Sequence, residues 1–259
     1  MPGPDSPSST AAVNASRWGD ATDGTWRGYR RSASGLELED RVKAALGLVV
    51  RTSGAALLDI GCGDGVLTAL FAGESDAGKV EGADVVSLSP PFPCQIVDLD
   101  SDCPLPFPDR SFDVVVCLET LEHVHDTDHL VLEIRRVLKP SGYAILSVPR
   151  IDGFLTVAML LLGYLPPAIE CSVRRRYGSP PPCGRVSGHV SHFTRRSLLE
   201  LMGACGFDVD AEAQAGIYSG WKLATPGRLP LLRALPLRFL ASLRVKQDDL
   251  IVRVRPRSA

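Results

Sequence analysis

The sequence predicts an α/β protein built on a mostly parallel sheet. Two apolar runs have the length and composition of buried strands: residues 55–60, apolar except for Asp59, and residues 114–118. Between and after such runs, apolar residues recur at helical spacing, most clearly over residues 128–138. Alternation of strand and helix patterns is typical of βαβ units, whose strands are parallel.

The loop after the first of these strands is rich in glycine. Gly61, Gly63 and Gly65 stand at alternate positions, and a helix-compatible run begins at Val66. Such a loop can adopt positive φ and approach a ligand closely, and the free N–H groups of the helix start favour an anionic group. The third glycine comes one place too early for the dinucleotide motif G-x-G-x-x-G, and no P-loop motif is present. An ordinary tight βα turn is the alternative interpretation.

Acidic residues stand at the ends of the predicted strands. Asp59 would be costly to bury unless it binds either the N–H groups of the glycine loop or a ligand ammonium. Asp84 lies near the end of a second predicted strand, residues 79–86, about 20 residues beyond the loop, which is the distance that a ribose-binding carboxylate requires. An acidic turn residue is the alternative for Asp84.

Three stretches together resemble the class I S-adenosylmethionine-dependent methyltransferases. They are D-x-G-x-G-x-G at 59–65, Gly-Ala-Asp-Val at 82–85, and Leu-Pro-Phe-Pro-Asp-Arg-Ser-Phe-Asp-Val-Val-Val at 105–116. The last is similar to the small-molecule, quinone-biosynthesis-like branch. The resemblance is strong over residues 54–149 and weak over 189–209. The short, proline-rich connector at 87–93 and Ser141, where the family usually has glycine, depart from the pattern.

The resemblance implies a Rossmann-like, doubly wound, seven-stranded sheet that is mostly parallel, with an antiparallel last strand at residues 250–254. It implies S-adenosyl-L-methionine as the cofactor and S-adenosyl-L-homocysteine as the product. Asp59 and the glycine loop would hold the methionine end, Asp84 the ribose, and Asp98 with Leu99 the adenine, Asp100 being the fallback. The cofactor-binding residues expected on this basis are Asp59, Gly61, Cys62, Gly63, Asp84, Val85, Asp98, Leu99, Leu118 and Glu119.

Two histidines are candidate catalytic residues. His123 follows Glu122 just past the fourth strand, and His189 lies in G-H-x-x-x-F-T, where the family's histidine approaches the acceptor; His192 is a second candidate there. Histidine can accept a proton from the attacking nucleophile, although a structural hydrogen-bonding role is an equal alternative for His123. No acidic residue accompanies the histidines at metal-binding spacing, so we predict no metal.

The domain prediction is a disordered tail at residues 1–17 followed by a single methyltransferase domain, 18–259. Trp18 and Trp26 would be anchors or a lid, and a helix is predicted over 36–50. Residues 150–188 form an insertion between the fifth strand and the next helix, which would either build the acceptor pocket or be a plain surface flap.

Composition is that of an ordinary globular chain: 259 residues, 45% hydrophobic, net charge −2. Seven cysteines without a C-x-x-C pair, and the lack of a visible signal peptide, predict a reduced, cytoplasmic protein. Residues 54–130 carry 15 acidic and two basic side chains, and residues 226–259 carry two acidic and eight basic. These are complementary solvated faces or, alternatively, a basic tail that meets an anionic substrate or membrane. Nucleic acid is not an expected partner, and peripheral membrane contact is a further possibility.

The predicted function is methyl transfer from S-adenosylmethionine to a small-molecule, lipid-linked or glycan acceptor. The alternatives are a non-catalytic cofactor-binding domain that serves as a partner or scaffold, and a dinucleotide-dependent oxidoreductase, which the glycine spacing argues against.

Overall fold

The computed structural model describes residues 28–32, 35–166, 168–172, 175–179, 186–215 and 248–258. The predictions for the tail at 1–17 and for Trp18 and Trp26 lie outside these residues, as do residues 226–247 of the basic stretch at 226–259.

The described elements follow the chain in an alternating order. They are β1 (Tyr29–Ser32), β2 (Gly35–Leu38), α1 (Asp40–Leu46), β3 (Ala55–Ile60), α2 (Val66–Ser75), β4 (Ala77–Asp84), β5 (Cys94–Ile96), β6 (Phe112–Leu118), a 3-10 turn (Leu121–His123), α3 (Thr127–Val137), β7 (Leu138–Pro149), α4 (Phe154–Leu161), α5 (Arg195–Ala204), β8 (Phe207–Ala215) and β9 (Asp249–Pro256).

Seven of these strands form one sheet in the order β5-β4-β3-β6-β7-β9-β8. The first five are mutually parallel, and β9 pairs antiparallel with both β7 and β8. The predicted fold class is therefore confirmed, including the antiparallel last strand. The strand order reverses between β3 and β6, so the loops after these two strands meet at the switch point where open α/β sheets bind ligands.

The sheet is covered on both faces, as the apolar strand runs predict. Leu58 and Ile60 belong to one buried cluster, whereas Leu57 and Val114 belong to another. Successive strand residues point to opposite faces, so this division is the expected one. Each such side chain contributes about 1.5–3 kcal/mol when fully buried.

Two predicted elements differ from the structure. The helix predicted over 36–50 is only α1, because residues 35–38 pair antiparallel with 29–32 as a hairpin. The sequence pattern of residues 95–99 also predicts a strand, but the strand ends at Ile96, because Asp98 accepts a hydrogen bond from the N–H of Asp100 (3.1 Å) and turns the chain. Thr194 precedes the helical pattern of residues 195–205, which predicts it as the N-cap. The structure confirms this, since the Thr194 hydroxyl accepts from the N–H of Ser197 at 3.1 Å.

Candidate functional site

The glycine loop links β3 to α2 in a conformation that suits glycine. Gly61, Gly63 and Gly65 have φ values of 78°, 56° and 79°. A Cβ on Gly61 would overlap the side chain of Thr120, and one on Gly65 would lie 2.7 Å from the Phe92 ring, whereas one on Gly63 would meet no atom within 4 Å. The loop is therefore packed at both ends, and its middle backbone borders open space, as a ligand cradle requires.

Asp84 holds this loop. Its carboxylate accepts hydrogen bonds from the N–H of Gly63 (2.8 Å) and the N–H of Val86 (3.1 Å). Burial raises the pKa of Asp84, and these N–H donors oppose the rise. A carboxylate has about four acceptor positions, so Asp84 retains capacity for ribose hydroxyls.

Asp59 does not bind the loop, which corrects one of the two predictions for it. Its carboxylate accepts from the hydroxyl of Thr68 in α2 at 2.5 Å. Burial, with a smaller contribution from the nearby Asp84 charge, raises the pKa of Asp59 to about 7. A buried carboxyl with this pKa is readily ionised by an approaching cation, so the ligand-ammonium interpretation stays a prediction.

The adenine-side candidates lie after β5. Asp98 is partly buried in its turn, as is Leu99 next to it. Val85, which follows Asp84 at the end of β4, is also partly buried. Asp100, the fallback, is engaged elsewhere: it accepts from the N–H of His125 at 2.6 Å and contacts Nδ1 of His125 at 3.1 Å. Of the two acids, Asp98 therefore remains the candidate.

The end of β6 carries a strained residue. Glu119, next to the partly buried Leu118, has φ +49°, a region that non-glycine residues seldom adopt. Its carboxylate accepts from the Ser147 hydroxyl at 2.7 Å and pairs with the Arg41 guanidinium at 2.6 Å. Sequence analysis missed Arg41, because nothing local to α1 indicates that its side chain reaches the carboxyl edge of the sheet.

His123 and His189, 66 positions apart in the sequence, are brought together on Glu122. The N–H groups of Val190 and Ser191 donate to the backbone carbonyl of Glu122 at 2.8 and 3.0 Å, which places one segment against the other. The two imidazole centres are 5.0 Å apart, and each Nε2 lies 3.9 Å from the same Glu122 oxygen.

The contacts of the two Nδ1 atoms determine which nitrogen of each imidazole carries the proton. Nδ1 of His123 lies 3.2 Å from the carbonyl of Gly188, and Nδ1 of His189 lies 3.1 Å from that of Ala168. A carbonyl accepts only, so both Nδ1 atoms carry the proton and both Nε2 atoms present lone pairs in the neutral ring. Burial lowers the pKa of His189, which favours this neutral form.

Glu122 is the functional candidate that sequence analysis missed. It is 1% exposed, and neither carboxylate oxygen has a hydrogen-bond partner among the described residues. Burial raises its pKa well above the ordinary value, and the Glu119 charge adds to the rise. Its donor atom and those of the two histidines lie within 4.8 Å of one another, a set that can also bind a divalent cation. The sequence spacing gave no acidic partner for the two histidines. In the folded protein, Glu122 lies 3.9 Å from the Nε2 atom of each.

A cavity of about 600 Å³ opens beside these histidines. It is lined by His125, Glu170, Cys171, Ser172, Gly188, His189, Val190 and His192. Residues 170–172 and 188 belong to the predicted insertion, so the insertion walls a cavity next to a candidate catalytic histidine.

Comparison with known proteins indicates the methyltransferase class that the sequence motifs predict. The family model described as "Methyltransferase domain" matches residues 29–212. A probable S-adenosylmethionine-dependent methyltransferase of Mycolicibacterium smegmatis is 35% identical over 182 residues, 68% of this chain and 60% of the relative. A ubiquinone biosynthesis O-methyltransferase of Proteus mirabilis is 33% identical over 142 residues, 51% of this chain and 55% of the relative. The chain thus spans less than two thirds of the length of either relative.

Among solved structures, the Burkholderia thailandensis 1,6-didemethyltoxoflavin-N1-methyltransferase, with bound 1,6-didemethyltoxoflavin and S-adenosylhomocysteine, has a TM-score of 0.58 at 17% identity. That match covers 100% of this chain and 93% of the other. The fold and the family match define a methyltransferase domain. The chain belongs to the class I S-adenosylmethionine-dependent methyltransferases, as its motifs predict. No helix among the described residues is long and apolar enough to cross a membrane.

Proposed function

We propose that this protein transfers a methyl group from S-adenosylmethionine to a small-molecule, lipid-linked or glycan acceptor. The observation that carries the proposal is the adjacency of the glycine loop to the histidine pair. Thr120, against which Gly61 packs, stands two residues before Glu122, and His189 opens onto the 600 Å³ cavity. This adjacency supports a donor site and an acceptor site at one edge of the sheet.

The described residues fit the cofactor. The open space at Gly63 suits the methionine end beside the loop backbone, where Gly61 and Cys62 also lie. Asp84 and Val85 would hold the ribose, Asp98 and Leu99 the adenine, and Asp59 the ammonium. Leu118 and Glu119 would border the same site at the end of β6. When bound, the sulfonium supplies an already activated methyl group.

The chain's own work is therefore positioning, exclusion of water and proton transfer. The cavity would hold the acceptor, since His189 forms part of its wall. The lone pair on Nε2 of His189 is available for an acceptor proton, and the Nδ1–H bond to Ala168 keeps the ring oriented. Glu122, whose carboxylate oxygen lies 3.9 Å from this same nitrogen, would stabilise the imidazolium that forms.

Isothermal titration with S-adenosylhomocysteine and with NAD tests the cofactor assignment. Binding of the first without the second is the expected result, and the reverse result overturns the proposal. Asp84→Ala should weaken S-adenosylhomocysteine binding by about 1–3 kcal/mol, as for a lost charge-assisted hydrogen bond. Asp208→Ala, which removes an exposed carboxylate paired with Arg257, is the matched control and should leave the affinity unchanged.

A methyl-transfer screen with lipid, glycan and small phenolic acceptors tests catalysis. His189→Gln should lower kcat for a weakly acidic acceptor while leaving S-adenosylhomocysteine affinity unchanged. If the cofactor binds but no acceptor class is methylated, the alternative of a non-catalytic cofactor-binding scaffold replaces the enzyme proposal.

A further inference from the structure

An apolar patch stands on the surface at the end of α4. Leu161 is 83% exposed and Leu162 is 74% exposed, although both are among the most apolar side chains of the insertion. We call the apolar patch the set of exposed large side chains around this helix end: Val157, Leu160, Leu161, Leu162, Tyr164 and Tyr177. Six such residues in one part of the chain are more than the scattered single leucines of an ordinary surface.

Hydrogen bonds join the two stretches that carry the patch. The N–H of Leu165 donates to the carbonyl of Gly178 at 2.7 Å, and the Ser179 hydroxyl donates to the carbonyl of Leu165 at 2.7 Å. Residues 175–179 therefore lie alongside the chain that follows α4. The Arg175 guanidinium lies 5.8 Å from the centre of the Tyr177 ring. Leucines, tyrosines and an exposed arginine thus belong to one local surface.

The charge of the insertion is opposite in sign to that of residues 54–130. Residues 150–188 contain five arginines and two acidic residues, whereas residues 54–130 are strongly acidic. Both acidic residues are neutralised within the insertion: Asp152 pairs with Arg150 at 2.8 Å, and Glu170 pairs with Arg176 at 2.7 Å. The positive charge that remains favours an anionic partner surface.

We propose that the apolar patch docks this protein onto an anionic lipid bilayer. Leu161 and Leu162 enter the interface, the two tyrosines lie at headgroup level, and Arg175 contacts lipid phosphate. A bilayer fits better than a protein partner because apolar, aromatic and cationic side chains together are typical of interfacial segments, whose binding depends on anionic lipid.

The same segment connects the patch to the cavity. The described residues 168–172 follow Leu165 and Pro166 in the chain: the carbonyl of Ala168 accepts from His189, and Cys171 and Ser172 line the cavity wall. An acceptor dissolved in the bilayer would enter the cavity along this segment. This use of the patch rests on the proposed function, whereas the docking itself does not.

Co-sedimentation of the full chain with vesicles tests the docking. Binding to vesicles of phosphatidylcholine with phosphatidylglycerol is expected, and it should fall with rising salt. The double variant Leu161→Glu/Leu162→Glu should lower the partition coefficient at least tenfold, and Arg175→Gln should lower it less. The control is Leu132→Glu, which places one added negative charge on a 49% exposed leucine of α3 and should change nothing.

Three results would overturn the proposal. The first is the absence of wild-type binding to anionic vesicles, and the second is equal binding by the double variant. The third is a patch-dependent dimer in sedimentation velocity without lipid, since the occupant would then be a second copy. A Leu161→Trp variant gives a direct readout: brominated lipids should quench the added fluorescence, and lack of quenching contradicts insertion. Unchanged S-adenosylhomocysteine affinity in the double variant separates this test from that of the proposed function.

Discussion

At the scale of single residues, the buried Asp59 carboxyl sets a pH dependence. Its pKa of about 7 in the folded chain lies above the ordinary value of 3.8, mainly because of burial. The folded state therefore holds this proton more tightly, and the stabilisation present at low pH is lost as pH rises from about 4 to 7. Asn at this position keeps an oxygen for Thr68 without the charge.

Asp59→Asn should therefore stabilise the fold more at pH 8 than at pH 5, by a difference on the order of 2 kcal/mol. Urea denaturation at both pH values measures it. Asp76→Asn changes an exposed carboxylate that contacts Arg51 at 3.5 Å, and it serves as the control without such a difference. An equal gain at the two pH values would show that Asp59 is ionised in the folded state throughout.

Glu122 and the two histidines make a second prediction at this scale. One ligand atom of each residue lies within 4.8 Å of the others, and the Glu122 oxygens have no hydrogen-bond partner among the described residues, so Zn²⁺ is expected to bind there and raise Tm. Because the ion would occupy Nε2 of His189, it should inhibit methyl transfer if that nitrogen is the base. Glu122→Gln should abolish both effects, whereas His125→Gln at the cavity wall should retain them.

Activation by the ion, instead of inhibition, would contradict the assignment of His189 as the base. It would indicate that the cation takes part in catalysis. Binding that survives Glu122→Gln would place the ion elsewhere. Thermal shift and methyl-transfer rate, each with and without a chelator, measure the two effects.

At the scale of elements, substitutions in the glycine loop distinguish the effects of backbone strain, of packing and of the space for a ligand. Gly63→Ala adds only the cost of a positive φ, on the order of 1 kcal/mol, but its methyl group enters the open space that the cofactor would use. Gly65→Ala bears the same strain and also presses on Pro90 (2.9 Å) and Phe92 (2.7 Å). The first should lose mainly cofactor affinity, and the second mainly stability.

Titration with S-adenosylhomocysteine and thermal denaturation of both variants check this division. Gly73→Ala lies within α2, where a Cβ meets nothing within 4 Å, and should stabilise by about 0.5–1 kcal/mol. If Gly63→Ala and Gly65→Ala lose affinity and stability in the same proportion, the open space beside Gly63 is not the binding space.

What the sequence could predict at this scale follows from how local each element is. β3, the glycine loop and α2 are continuous in the chain, so periodicity and glycine spacing predict them together. The β1–β2 hairpin was missed because Leu36 fits a helical pattern. Its strand forms only by pairing with β1, which the pattern of one segment does not report. The end of β5 depended on a side-chain bond from Asp98, which periodicity does not report.

The same limit applies to the site. Asp84, Asp98 and Glu119 follow strands of a parallel sheet, whose carboxyl ends meet at one edge, so their nearness could be predicted. Glu122 beside His189, and Arg41 beside Glu119, depend on contacts between distant segments. A single sequence gives no signal for such contacts.

At the scale of the whole molecule, β9 closes the sheet. It lies between β7 and β8, and β8 joins the sheet only through it in the described topology. The side chains of Leu250, Ile251, Val252 and Val254 are fully buried. Arg253 also donates to the carbonyl of Leu48 at 2.8 Å and pairs with Asp210 at 2.8 Å, which joins the strand to the chain after α1 and to β8.

Deletion of residues 248–259 should therefore abolish cooperative folding. Four buried aliphatic side chains at about 1.5–3 kcal/mol each amount to most of a typical stability of about 5–15 kcal/mol, before β8 is counted. Deletion of residues 1–17, the predicted tail, is the control and should leave Tm unchanged. Urea denaturation followed by circular dichroism measures both. A cooperatively folded chain without β9 would require β8 to pair directly with β7, so that the sheet could close without its antiparallel insert.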